Sequence, residues 1–274
     1  MQLHIINAFT SKPFGGNPAG VCILDKWPAD ELLQNIAMQN NLSETAFAVK
    51  NELKNHYHLR WFTPTIEVEL CGHATLATAF VLFEQLAHLT KINFKTLSGM
   101  ISVTKENDML YLDFPAYGAV PIPIYDAFTK GLGVKIIEAY KALDYMVLVD
   151  SEETLLNINP NFEALKNLKT EANIAGNDFG IIVTAKGNNC DFVSRFFAPN
   201  CGVNEDPVTG RAHASLTPFW SERLNKTKLT AKQLSERVGD LYCENFPNQQ
   251  NNQNRVKIGG ECVRYLKGEI NIGS

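Results

Sequence analysis

Apolar and polar positions change period several times along the chain. Leu3 to Ala8 alternates weakly and predicts a strand. Val21 to Leu24 and Ala46 to Val49 are short apolar runs of strand type, and His56 to Phe62 predicts a strand that forms a hairpin with the Ala46 run. Pro28 opens a helix through Met38, with Leu32, Leu33, Ile36 and Ala37 on its apolar face. The pattern then changes abruptly at Leu70-Cys71-Gly72-His73-Ala74-Thr75. From there to about Gln85 small and apolar residues run on without alternation, which predicts an apolar helix. Residues 90–97, 100–104 and 109–114 predict strands around Ser98-Gly99 and Asn107-Asp108 turns.

A proline-marked linker, Ala116 to Pro123, sets a domain boundary between residues 1–115 and 116–274. Beyond it the spacing predicts short helices over Tyr125 to Tyr140, broken near Gly131-Leu132-Gly133, and a strand over Tyr145 to Val149. Helices follow over 151–157 and 161–167, the second capped by Asn159 or entered through Pro160. Gly180 to Ala185 and Asp191 to Phe197 predict strands. A second glycine-bearing helix start stands at Thr209-Gly210-Arg211 and runs to about Leu224, with Pro218 expected to bend or shorten it. Residues 226–232, 239–245, 255–260 and 262–270 predict closing antiparallel strands, the last of them packing on the first domain. The amide-rich run Asn248 to Asn254 predicts a loop.

The two helix starts are preceded by similar stretches, Arg60-Trp61-Phe62-Thr63-Pro64 and Arg195-Phe196-Phe197-Ala198-Pro199. This ordered recurrence predicts two related halves, each bringing one helix N-terminus to a shared cleft. A helix N-terminus carries unpaired N–H groups and a positive field, so it suits an anion. The alternative is two buried helices with glycine-bearing starts.

Composition narrows the class. The chain has 274 residues, is 45% hydrophobic and carries a net charge of −4 without a long basic run, so no nucleic-acid surface is indicated. Its cysteines, at 22, 71, 190, 201, 243 and 262, are scattered without a CxxC pair, which suggests neither a zinc site nor a disulfide framework. No apolar run approaches membrane-spanning length, and no leader pattern stands at the N-terminus. A reducing, cytoplasmic setting is expected.

Several residues invite chemistry, each with a plainer reading beside it. Gly15-Gly16-Asn17 is either a structural turn or a ligand-side loop; it lacks both dinucleotide and phosphate-loop spacing. Glu44, at the mouth of an apolar strand, is either solvated or desolvated toward a useful acid–base range. His73, at a helix N-terminus, is either a structural histidine or a neutral donor or acceptor at a site. Cys71 is packing or a thiol activated by the helix start. Glu205 and Asp206 precede the second helix as caps or dipole partners, or Asp206 faces a pocket. Arg211 either forks onto a substrate carboxylate or faces solvent.

Taken in order, Gly15-Gly16-Asn17-Pro18-Ala19, Asn41-Leu42-Ser43-Glu44-Thr45-Ala46-Phe47, Arg60-Trp61-Phe62-Thr63-Pro64, Cys71-Gly72-His73-Ala74-Thr75 and Glu205-Asp206-Pro207-Val208-Thr209-Gly210 resemble the PhzF-like isomerase/epimerase family over nearly the whole chain. The resemblance implies a diaminopimelate epimerase-like α/β (α+β) fold: two pseudo-symmetric domains, each a curved, barrel-like, mostly antiparallel sheet around a central helix. It implies a homodimer, no metal and no organic cofactor. It implies that Glu44 acts as acid and base, with His73 and Asp206 holding substrate and helping to move protons. Asn17 and the backbone around Gly72 and Gly210, with Arg211, would bind a small carboxylate-bearing substrate. The phenazine-pathway member isomerises a dihydro-hydroxyanthranilate. The commoner family motif has serine after the second Thr-Gly; Arg211 stands there instead, which bears on substrate choice. Related epimerases use two opposed thiols, but the Thr209-Gly210-Arg211 start carries none. A one-base shuttle therefore fits better than a two-thiol racemase. An epimerase of an amino-acid derivative and a non-catalytic binding protein are the alternatives.

Overall fold

The computed structural model describes residues 1–176, 179–247 and 254–272. The chain divides into two compact units, Met1–Phe114 with Lys257–Ser274, and Pro115–Val256.

The first unit opens with strands β1 (Gln2–Ala8) and β2 (Asn17–Leu24), helix α1 (Asp30–Asn40), and strands β3 (Glu44–Lys50), β4 (His56–Phe62) and the short β5 (Glu67–Val68). Helix α2 (Gly72–Gln85) follows, then β6 (Lys91–Thr96), β7 (Gly99–Glu106) and β8 (Met109–Pro115). Helix α2 is the centre of this unit. Gly72 through Ala79, then Val81, Leu82 and Phe83, are all buried, as a helix that is apolar on every side must be. Its two buried hydroxyls are satisfied within the helix: Thr75 donates to the Cys71 carbonyl at 2.5 Å and Thr78 to that of Ala74 at 2.7 Å. Helix α1 begins at Asp30, two residues after Pro28, and stops where Asn41 turns left-handed at φ 50°. Leu33, Ile36 and Ala37 pack on Phe47 and Phe62.

The second unit contains β9 (Val120–Pro121), α3 (Asp126–Leu132), β10 (Glu138–Lys141), β11 (Tyr145–Leu148), α4 (Glu152–Leu156), α5 (Phe162–Lys166) and α6 (Leu168–Glu171). Next come β12 (Ile181–Lys186), β13 (Phe192–Phe197), a 3₁₀ turn over Pro199–Cys201, α7 (Gly210–Leu224), β14 (Lys228–Gln233) and β15 (Gly239–Pro247). Its core gathers Phe128, Val147, Leu155, Leu165, Val183 and Phe197. The chain then returns through β16 (Asn254–Gly260) and β17 (Cys262–Glu269), and β17 pairs antiparallel with β1.

The two units share one strand grammar. In the first, β1–β2 is antiparallel, β2–β3 parallel, β3–β4 antiparallel, β4–β6 parallel and β6–β7 antiparallel. In the second the same alternation runs through β10–β11, β11–β12, β12–β13, β13–β14 and β14–β15. Helices α2 and α7 occupy the same place in this order.

Several local expectations change. The helical reading of Tyr125 to Tyr140 holds only to Leu132, where Gly133 closes the helix at φ 67°. Glu138 to Lys141 is strand instead, because pairing with β11 outweighs local propensity. The cap of α5 is Asn161, whose side chain accepts the Ala164 N–H, not Asn159 or Pro160. Pro218 neither cuts α7 short nor leaves a carbonyl orphaned. The Ala214 carbonyl that its missing N–H would have met receives the Tyr117 N–H at 3.0 Å. Of the predicted loop over 248–254, Asn254 begins β16 and the rest lies outside the described residues.

Candidate active site

The first cluster is set by three chain starts. Gly16 turns at φ +63°, and a Cβ there would lie 2.2 Å from the Ala8 carbonyl oxygen, so glycine is required to bring Asn17 to the head of β2. The parallel register of β2 and β3 sets Ala19 beside Glu44, at the head of β3. Cys71 is the extended N-cap of α2, and His73 is its second helical residue.

These side chains meet at the His73 ring, which is 4% exposed. Asn17 Nδ2 lies 3.3 Å and Cys71 Sγ 3.5 Å from His73 Nδ1. On the other side His73 Nε2 is 3.2 Å from Glu44 Oε2, in contact but bent away from a straight hydrogen bond. Burial pushes the His73 pKa down to about 3, so the ring is neutral near pH 7. If the Asn17 amide N–H donates to Nδ1, the ring proton is assigned to Nε2 and points toward the carboxylate. The contact is then a charge–dipole one, not an ion pair. Glu44 keeps its side chain 19% exposed, within reach of a small molecule. One donor atom from each of Glu44, Cys71 and His73 lies within 4.8 Å of the other two.

The second cluster surrounds the start of α7. Asp206 Oδ2 accepts the Thr209 hydroxyl at 2.5 Å. Gln233 clamps the same turn: its amide donates to the Asp206 carbonyl at 2.7 Å, and its oxygen accepts the Thr209 N–H at 2.8 Å. Arg211 forks onto Asp144, with Nε and Nη2 each 3.0 Å from a carboxylate oxygen. Asp144 is fully buried and also accepts the Gly180 N–H at 2.8 Å. His213 Nδ1 lies 2.8 Å from the Thr209 carbonyl, and burial lowers the His213 pKa to about 4. The ring stands 5.8 Å from that of Phe192.

Among the site residues expected from sequence, Asn17, Glu44, Gly72 and His73 thus fall together in the first unit. Asp206, Gly210 and Arg211 fall together in the second. Arg211 takes its carboxylate from within the chain, Asp144, and its side chain stays partly exposed. Glu205 is not a helix cap: it pairs with Arg195 through both carboxylate oxygens, at 2.8 and 2.9 Å. Asp144 and Gln233 were not singled out by sequence reasoning. The signal for Asp144 was its place just ahead of β11, matching that of Asn17 at the head of β2.

Two repeats of one strand order, each closed around a central helix, make an α/β fold of the diaminopimelate epimerase type. Solved structures carry the same fold over full length. A PhzF-family phenazine biosynthesis protein from Enterococcus faecalis superposes with a TM-score of 0.90 at 47% identity, covering 99% of both chains. A putative PhzC/PhzF protein from Clostridium difficile does so with a TM-score of 0.88 at 42% identity, over 99% of this chain and 100% of that one. An uncharacterized isomerase of Pseudomonas aeruginosa is 47% identical over 275 residues, covering 99% of this chain and 100% of the relative. Residues 6–268 match the PhzC-PhzF family, described as phenazine biosynthesis-like protein. The chain belongs to this PhzF isomerase family.

Proposed function

We propose that the protein isomerises a small carboxylate-bearing metabolite by moving one proton through Glu44. The contact between Glu44 and the buried, neutral His73 carries this reading. A cationic neighbour would hold Glu44 firmly ionised and make it a poor base, whereas a neutral N–H orients the carboxylate without neutralising it. In the forward step an activated C–H breaks, Glu44 gains the proton, and the electron pair enters the substrate's conjugated system. Helix N–H groups stabilise the charge that develops. In the return step the Glu44 O–H breaks and a C–H forms at another carbon, so no oxidant, reductant or cofactor enters the balance.

Asp206, Gly210 and Arg211 have binding roles in this reading. The Asp144 carboxylate offsets the Arg211 charge, so that position favours a polar group over a second free anion. A two-thiol epimerase lacks support, because Thr209 stands at the second helix start where Cys71 stands at the first. The test is turnover in deuterated water of a dihydro-hydroxyanthranilate and a panel of small carboxylates with acidified C–H bonds. Deuterium at the new C–H with a moved double bond supports the reading. Inversion at a single carbon favours an epimerase.

A further inference from the structure

The donor atoms around His73 have a capacity that proton transfer does not use. We propose that Glu44, Cys71 and His73 form a binding site for a thiophilic divalent cation of the zinc type, and that the bound cation withholds the Glu44 carboxylate from proton transfer. The inhibitory consequence rests on the acid–base reading above; the binding rests on geometry alone.

One donor atom from each residue, a single ring nitrogen in the case of His73, already lies within 4.8 Å of the other two. Zinc bonds of roughly 2.0–2.3 Å in tetrahedral geometry place ligand atoms on the order of 3–4 Å apart, so side-chain rotations of the partly exposed Glu44 and of Cys71 close the triangle on one ring nitrogen. An imidazole with its ordinary pKa of roughly 6.5 is mostly neutral at pH 7 and offers a lone pair without losing a proton. Charge also balances. The positive end of α2 opposes a bare cation but favours a thiolate at its N-cap. One thiolate and one carboxylate cancel a divalent ion. On binding, the Cys71 S–H breaks, a sulfur–metal bond forms and the proton leaves to solvent. The remaining ring nitrogen keeps Asn17 as its partner, which can present either amide atom.

Sulfur and imidazole select zinc or cobalt over magnesium or calcium, and three protein ligands leave one position open for water. The matching start in the second unit has Thr209 and an Arg211–Asp144 pair, so it offers no such set.

Cobalt(II) titrated into the metal-free full-length protein is the direct test. The expected result is one equivalent bound, an intense tetrahedral visible spectrum, a sulfur-to-cobalt charge-transfer band, and no competition from magnesium. Cys71→Ser should lose that band and bind more than roughly 100-fold more weakly, beyond the cost of losing a merely supporting group. Glu44→Gln should keep the band with weaker binding. A weak octahedral spectrum without the sulfur band overturns the site, as does a folded Cys71→Ser with unchanged affinity. Because binding is read without turnover, such a failure leaves the acid–base reading to its own exchange experiment in metal-free enzyme.

Discussion

The starts of α2 and α7 are built on one frame and finished differently. Glu67 precedes Gly72 by five positions, and Glu205 precedes Gly210 by five. Each glutamate takes a two-pronged arginine from the preceding strand: Arg60 at 2.7 and 2.7 Å, Arg195 at 2.8 and 2.9 Å. Each guanidinium also lies over a phenylalanine two residues on, Phe62 at 5.1 Å and Phe197 at 4.9 Å. The third residue of each start is where they part. In α2 it is His73, neutral and held by Asn17; in α7 it is Arg211, charged and held by Asp144. One frame therefore yields a polar contact beside a usable carboxylate, or a fixed ion pair, according to one pair of residues. An arginine at position 73 would tie Glu44 into a salt bridge and, on the mechanism proposed above, remove its use as a base.

Breaking the ion pair gives the largest expected effect on stability. Arg211→Ser leaves Asp144 buried with, among the described residues, only the Gly180 N–H on its carboxylate, and such losses cost about 3–5 kcal/mol, less here because Arg211 is partly exposed. Chemical denaturation should show the deficit, and adding Asp144→Asn should recover part of it. Equal stability of Arg211→Ser and the parent would show that the pair is not a structural equivalent of the His73 contact.

The contrast sharpens with pH. His73 and His213 have folded pKa values of about 3 and about 4, below the unfolded value of roughly 6.5. Between these values the unfolded chain binds more protons, so stability is complete above about pH 6.5 and falls as pH drops toward 4. Each histidine adds a slope of up to about 1.4 kcal/mol per pH unit. His213→Asn should flatten the melting temperature against pH across this window. An unchanged slope would mean that His213 is not buried neutral.

The smallest effect belongs to the cap of α7. Thr209→Val removes the hydroxyl bonded to Asp206 and Gln233, and a net loss of about 1 kcal/mol is expected by denaturation. Full stability in Thr209→Val would show that Gln233 alone holds this turn.

Much of this frame is legible in the sequence, for physical reasons. The run from Gly72 is too continuously apolar for a surface helix, and Gly16 and Gly72 mark where backbone must turn or end. The similar stretches that carry Arg60 and Arg195 are legible too, although Glu205 invites the cap reading until the Arg195 distance is seen. Two features were not legible. Strand β10 exists because β11 pairs with it, and a local window holds no information about that partner. Asp144 is sixty-seven residues from Arg211, and only an alignment of the two halves by strand order brings them together.

The central claim is that Glu44, and not the thiol beside it, moves the proton. Solvent-deuterium exchange into a turned-over substrate should be compared in metal-free wild type, Glu44→Gln and Cys71→Ser, with ligand affinity measured on each. The account predicts a loss of at least roughly 10²–10⁴-fold in Glu44→Gln with binding and fold retained, and little change in Cys71→Ser. Near-normal exchange in Glu44→Gln, with collapse in Cys71→Ser, would contradict it.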